Sequence, residues 1–145
     1  GSSGYSGRSG YSGFSQLNTV QLNIFSAISD VTTGDGKTYF RISSILNGKS
    51  LTTVHALVLT AGTTETTDVQ ITRIRSGTPV DMLSTKLTID SGETVSHTAA
   101  TPAVIDTVSD SGTRDDVVEH DLIRIDIDAV STTAPKGLIV TLEFA

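Results

Sequence analysis

The stretch "LIRIDIDAVSTTAPKGLIVTLEF" (122–144) places two apolar runs on either side of the turn signal "APKG". In the first run, isoleucines alternate with charged residues, which is the two-residue period of a half-buried β-strand. We therefore expect the isoleucines Ile123, Ile125 and Ile127 to face a core. The intervening side chains, which the same alternation turns outward, are Arg124, Asp126 and Asp128.

Runs of the same kind recur along the chain, with short turn signals such as "AGTT" and "DSGE" between them. The run at 68–75 alternates through Val69 and Ile71 but then slips to Ile74, which predicts a bulge. Eight short strands with no amphipathic helical stripe predict an all-β domain, an antiparallel β-sandwich of the jelly-roll type. The other strand-like runs span 19–28, 38–46, 51–60, 68–75, 86–90 and 103–108.

The chain opens with "GSSGYSGRSGYSGFSQ" (1–16), in which every third residue is glycine. This period predicts a collagen-like triple helix, because only glycine fits at the axis shared by three chains. A flexible Gly/Ser linker is the alternative. The repeat is short and has no proline, so a triple helix would need residues 17–145 to hold three chains together as a homotrimer. The glycines assigned to the axis are Gly1, Gly4, Gly7, Gly10 and Gly13.

Composition excludes several classes of partner. The chain has 145 residues and a formal net charge of −6, and its basic residues are scattered, so we expect no nucleic-acid partner. There is no cysteine to form a disulfide framework. Because no apolar run has the length of a membrane span, we expect no membrane insertion.

No catalytic motif stands out. The segment "TTGDGKT" (32–38) lacks the first glycine of a phosphate-binding loop, where Val31 stands, and we interpret Asp35-Gly36 as a hairpin turn. The three histidines have no metal-ligand spacing, and the apolar surroundings of His55 in sequence suggest a core or inter-chain position. There is no G-x-S-x-G motif. We therefore expect no enzymatic activity and no resident cofactor. The other two histidines are His97 and His120.

The acidic stretch "DSGTRDDVVEHD" (110–121) is the strongest local feature outside the repeat. Oxygen-rich loops of this kind can hold Ca²⁺, although the ordered spacing of an EF-hand loop is absent. A solvated charged loop between strands is the more common alternative. The candidate calcium ligands are Asp110, Asp115, Asp116 and Glu119.

Three segments carry a resemblance to a known family: "ILNGKSLTTVHALVLTAGTTETTDVQITRI", "DMLSTKLTID" and the stretch quoted first. Over about residues 38–145 the chain resembles the carboxy-terminal domain that follows Gly-X-Y repeats in structural proteins of tailed phages and prophages. The resemblance implies a virion-associated, extracellular fibre or appendage with a trimeric β-sandwich head. It implies no catalytic residue. The sequence departs from the family pattern in its more acidic 110–121 loop and in "SSI" (43–45), where a proline is expected.

The sequence thus favours a structural and adhesive role, with three β-heads closing a collagen-like stalk. Contact with a host-surface glycan, through loops such as 61–67 or 110–119, follows from the analogy with phage appendages rather than from particular residues. A cellular collagen-like surface or extracellular filament subunit would have the same architecture. A glycan-active enzyme on the same sandwich is the third hypothesis, which a pair of carboxylates in a cleft would favour.

Overall fold

A computed structural model describes residues 18–107 and 113–145. Within these ranges the regular structure consists of ten β-strands and no helix, two strands more than the sequence predicts. The expectation of an all-β domain is confirmed. The predicted stalk, with its five glycines, and the candidate ligand Asp110 lie outside the described residues. The strands are β1 (Asn18–Asn23), β2 (Gly34–Arg41), β3 (Leu51–Leu57), β4 (Thr67–Arg75), β5 (Thr78–Asp81), β6 (Leu83–Thr85), β7 (Leu87–Ile89), β8 (Val104–Ile105), β9 (Leu122–Ala129) and β10 (Ile139–Phe144).

All strand pairs are antiparallel, and the two larger sheets hold most of the strands. The three-stranded sheet has the order β1-β10-β3, and the five-stranded sheet has the order β2-β9-β4-β5, with β7 also paired to β4. Strands β6 and β8 form a separate small pair. Because β1 and β2 belong to different sheets, as do β9 and β10, the chain crosses between the sheets repeatedly.

One hydrophobic core contains residues from both sheets. Strand β9 contributes Ile123, Ile125 and Ile127, all buried as the alternation predicts. From β10, Phe144 is fully buried, and its ring meets that of Phe40 in β2 edge to face with the centroids 6.3 Å apart. Such offset aromatic contacts are favourable beyond the area they bury.

The slip in the apolar alternation of β4 is caused by a buried charged residue and not by a bulge. The pairing of β4 with β9 is continuous from Ile71 to Ile74, and the irregularity lies earlier, between Asp68 and Val69. The core-facing position after Ile71 is Arg73, which is only 7% exposed. The sequence interpretation was wrong here because it assumed that a charged side chain must point outward.

The two extra strands, β5 and β6, arise where the chain leaves the edge of β4. Both β5 and β7 pair with β4, but the intervening residues bend away so that β6 can pair with β8. The side chain of Gln70 bridges this gap: its Nε2 donates to the Leu83 carbonyl at 3.1 Å, and its Oε1 accepts from the Leu83 amide at 3.2 Å. A buried glutamine thus replaces the missing backbone partners.

The interpretation of Asp35-Gly36 as a hairpin turn was also wrong, since both residues lie inside β2. Gly36 does have the positive φ that was expected, +73°, but at an irregularity in the pairing of β2 with β9. The hydroxyl of Tyr39 lies where a side chain at position 36 would begin, so glycine is required there for space as well as for conformation.

The strand register defines two ends of the domain. At the Asn18 end, the first residue of β1 pairs with Phe144, which in turn pairs with Leu51. At the opposite end, Asn23 pairs with Ile139, and Ile139 with Leu57. The loop 61–67 belongs to the opposite end, where Thr63 bridges to the segment that leads into β10.

Candidate functional site

Two arginines and two aspartates form an ion-pair cluster at the Asn18 end. Both arginines come from the end of β4, and both aspartates precede β9, more than 40 positions later in the sequence. Arg73 Nη1 lies 2.9 Å from Asp116 Oδ1, and Arg75 Nη2 lies 3.3 Å from Asp116 Oδ2. Arg75 also contacts the buried carboxylate of Asp121, with Nη2 to Oδ2 at 2.8 Å and Nε to Oδ1 at 3.0 Å.

Arg73 connects the core to the segment before β9. Its Nη1 donates to the Asp116 carbonyl at 2.6 Å and to the Thr113 carbonyl at 3.3 Å, in addition to the Asp116 carboxylate. Its buried Nε has no hydrogen-bond partner among the described residues. A charge buried in this way is tolerated only when it is paired, so Arg73 holds the 113–116 segment against the sandwich.

The surroundings of Asp116 change its pKa. Burial alone raises the pKa, but the hydrogen bond from Thr113, the charge of Arg73 and the hydrogen bonds from Arg75 and Arg73 outweigh it, so the net pKa lies below the usual 3.8. Arg75 shows the matching change: its pKa is raised, chiefly by the hydrogen bond with Asp121, and burial only partly opposes this.

The lowered pKa of Asp116 predicts how stability depends on acidity. Its charged form stabilises the fold fully above the unfolded pKa of about 3.8, and this contribution is lost as pH falls through the lower folded pKa. We expect Asp116→Asn to flatten the decline of the unfolding midpoint below about pH 4, as measured by urea titration over a pH series. The neighbouring variant Asp115→Asn should keep the wild-type decline, because Asp115 has no ion pair within the described part of the chain. Identical slopes for wild type and Asp116→Asn would contradict the assignment.

The candidate calcium ligands are not gathered around a common centre in the described ranges. The carboxylate of Asp116 is engaged by two guanidinium groups. Glu119 is exposed, and its backbone amide donates to Asn47 Oδ1 at 2.8 Å. Within 18–107 and 113–145, no three histidine, aspartate or glutamate side chains are grouped so as to hold a metal ion. With Asp110 outside the described residues, the calcium site stays a hypothesis. The sequence did contain a signal for the ion-pair cluster that the sequence analysis missed. Two arginines stand near the end of one predicted strand, and an acidic run elsewhere in the chain supplies carboxylates of opposite charge.

Two of the three histidines meet at a pocket. A cavity of about 210 Å³ is lined by His55, His97, Ser96 and apolar side chains, and the two imidazole rings lie edge to face with centroids 6.2 Å apart. His55 is exposed, so its interpretation as a core residue was wrong: Val54 and Ala56 occupy the inward positions of β3. His120 lies far from this pair, at the Asn18 end, where its Nδ1 is 2.6 Å from Arg41 Nη1.

The hydroxyl of Ser96 has a structural role at this pocket. It accepts the amide hydrogen of Ala56 at 2.8 Å, while the amide of Ser96 donates to the Ala56 carbonyl at 3.0 Å. These bonds fix the segment containing His97 beside β3. The pocket therefore offers two imidazoles and an apolar wall, and a serine hydroxyl that already has a partner.

A second charged cluster covers the outer face of the five-stranded sheet. Asp126 points to the face that the alternation predicts, but it is buried, at 3% exposure, and not solvated. The guanidinium of Arg124 donates two hydrogen bonds to the Asp126 carboxylate, Nε to Oδ1 at 2.8 Å and Nη2 to Oδ2 at 3.0 Å. Thr72 and the Gly36 amide each donate to it at 2.8 Å. The hydrogen bond with Asp126 is the main reason that the pKa of Arg124 is raised.

The two loops named as glycan contacts lie at opposite ends of the domain. The 113–119 part of the acidic loop lies at the Asn18 end, where the Asp115 carbonyl accepts from the Leu51 amide. The 61–67 loop lies at the other end and contains two consecutive residues with positive φ, Thr64 at 64° and Glu65 at 65°. This conformation is rare for a β-branched residue. Two hydrogen bonds help to hold it: the Thr64 amide donates to Ser91 Oγ at 2.8 Å, and Ser131 Oγ donates to the Glu65 carbonyl at 3.0 Å.

No helix among the described residues is long and apolar enough to cross a membrane. Comparisons with family models, with curated proteins and with solved structures find no match to this chain.

Proposed function

We propose that the chain is a structural, adhesive fibre protein of a phage virion, in which three β-heads close a collagen-like stalk. The observation that carries the proposal is the order of features along the chain. The glycine repeat (1–16) precedes β1 in the sequence, β1 begins at one end of the head, and the constrained 61–67 loop lies at the other end. A stalk entering at Asn18 leaves that loop facing away from it.

The strand order supports a jelly-roll type of sandwich for the head. In that architecture, successive strands alternate between two sheets and the last strand lies beside the first. The orders β1-β10-β3 and β2-β9-β4 follow this scheme, with β5 and β7 sharing the far edge of β4.

The charged groups support a structural role more than a catalytic one. The carboxylates of Asp116, Asp121 and Asp126 are each held by arginine, so none is poised as a free acid or base. Of the two loops proposed to contact a glycan, 61–67 is the better placed, because 113–119 lies beside the point where a stalk would enter.

The mass of the full-length chain in solution tests the proposal. We expect light scattering to give three times the 15.2 kDa of one chain, and circular dichroism to show a triple-helical signal that disappears in Gly7→Ala. A monomer at all concentrations would overturn the proposal.

The alternative function is that of a cellular collagen-like surface or extracellular filament subunit with the same architecture. Electron microscopy with an antibody to the head distinguishes the two: labelled virion appendages support the phage fibre, and labelled cell filaments support the alternative.

A further inference from the structure

The outer faces of the two large sheets differ sharply in charge. Among the outward residues of β1 and β10, only Glu143 is charged. Strand β3 adds only His55 as an ionisable group. We call this surface the uncharged face. Its residues on β1 and β10 are Thr19, Gln21, Asn23, Ile139, Thr141 and Glu143.

The outer face of the five-stranded sheet is the opposite case. Besides the Arg124–Asp126 pair, it carries Lys86, whose Nζ lies 2.8 Å from Asp128 Oδ2. The pKa of Lys86 is raised, chiefly by its hydrogen bond with Asp128. Burial opposes this rise, and the charges of Asp128, Asp68 and Asp81 add to it. Such a surface is costly to remove from water, whereas the central parts of protein interfaces are depleted of charge.

The uncharged face also exposes apolar side chains toward the end opposite Asn18. Ile139 and Leu57 are paired on neighbouring strands and only half-buried. Leu59, which continues beyond β3, is 54% exposed. Apolar side chains that are grouped, rather than scattered singly, favour an interface.

The length of chain before β1 indicates what covers this face. Asn18 lies five positions after Gly13, the last glycine of the repeat. A fully extended chain spans at most about 3.6 Å per residue, so in a three-chain stalk Asn18 lies within about 18 Å of the axis. Strand β1, an edge strand of the three-stranded sheet, is thereby held near the two other copies.

We propose that the uncharged face, the outer surface of β1, β10 and β3, is the surface through which three copies of the head contact one another. This inference rests on the trimer of the proposed function and adds which face forms it. The outer face of the five-stranded sheet, with Arg124, Asp126, Asp128 and Lys86, is called the charged face, and it then points outward, away from the three-fold axis.

A matched pair of lysine substitutions tests the choice of face. Thr141 lies on the uncharged face and Thr88 on the charged face, and both are partly buried strand threonines. We expect Thr141→Lys to weaken trimer association at least tenfold, since it adds an unpaired charge to an interface, whereas Thr88→Lys leaves association unchanged. Association is measured by light scattering over a dilution series of the full chain, with circular dichroism to verify the β-sheet content of each variant.

The outcomes separate the two proposals. If the wild-type chain is a monomer, the proposed function fails and this inference fails with it. If the wild type is a trimer but Thr88→Lys dissociates it while Thr141→Lys does not, the trimer stands and the choice of face is wrong.

A second measurement covers the case in which Thr141→Lys does not fold. The chain has no cysteine, so Gln21→Cys and Thr88→Cys each introduce a single thiol. In the isolated head Gln21 is the more exposed of the two, so its thiol should react faster with a maleimide if the face is free. We expect the reverse order in the assembled protein, with Gln21→Cys at least tenfold slower; faster labelling of Gln21→Cys would overturn the inference.

Discussion

Replacing Phe144 by alanine is expected to lower the free energy of unfolding by about 3–5 kcal/mol, the range for deleting a buried aromatic side chain. Phe144 is fully buried, and it lies on β10, the central strand of the three-stranded sheet. Its ring also packs on Phe40 of the other sheet, so the substitution removes an aromatic pair that joins the two sheets.

Chemical denaturation at a fixed chain concentration measures this effect, since assembly would otherwise add to the apparent stability. Tyr39→Ala is the matched control: this aromatic residue is next to Phe40 in β2 but is 51% exposed. We expect the control to cost about 1 kcal/mol, because half of its ring is already in water. Equal losses in the two variants would mean that β10 is not anchored in the core as described.

The strands that could be predicted from the sequence are those in which apolar and polar residues alternate. The isoleucines of β9 face the core as expected, because apolar side chains at every second position have only one way to be buried together. The same test located β3 and β10, although it extended β3 to Thr60, three residues beyond its end at Leu57.

The parts that were not predictable depend on partners far away in the sequence. Arg73 occupies an inward position, which is possible only because Asp116 and the Thr113 carbonyl reach it from another segment. Gln70 is buried because the chain beside it departs from the ladder at Leu83. Neither partner can be identified from local periodicity, since a polar residue in a strand normally indicates the solvent side.

The candidate sites show the same division. The sequence singled out the acidic run but not the arginines that neutralise it. Of the two positions it suggested for His55, in the core or between chains, the core position is wrong, because only the neighbours Val54 and Ala56 are buried. The inward and outward positions of β3 could be assigned only once its partner β10 was known.

Replacing Asp126 by alanine is expected to lower the free energy of unfolding by about 2–4 kcal/mol, less than a fully buried ion pair because Arg124 keeps some contact with water. The carboxylate accepts hydrogen bonds from Arg124, Thr72 and the Gly36 amide, and so links three neighbouring strands across one face. Its removal leaves these donors without their acceptor in a partly buried place.

Asp128→Ala provides the matched control, because Asp128 lies two residues further along the same strand and on the same face. It has an ion pair with Lys86, but it is more exposed than Asp126, so its loss should cost at most about 1 kcal/mol. Denaturant midpoints of the two variants, measured at one chain concentration and pH 7, give the comparison. Because Asp126 faces away from the uncharged face, the mass of the proposed trimer should be the same in both variants wherever they are folded. A loss of assembly in folded Asp126→Ala would place the contact between copies on the charged face, whereas a loss of stability alone fits a group that fastens β2, β9 and β4 together.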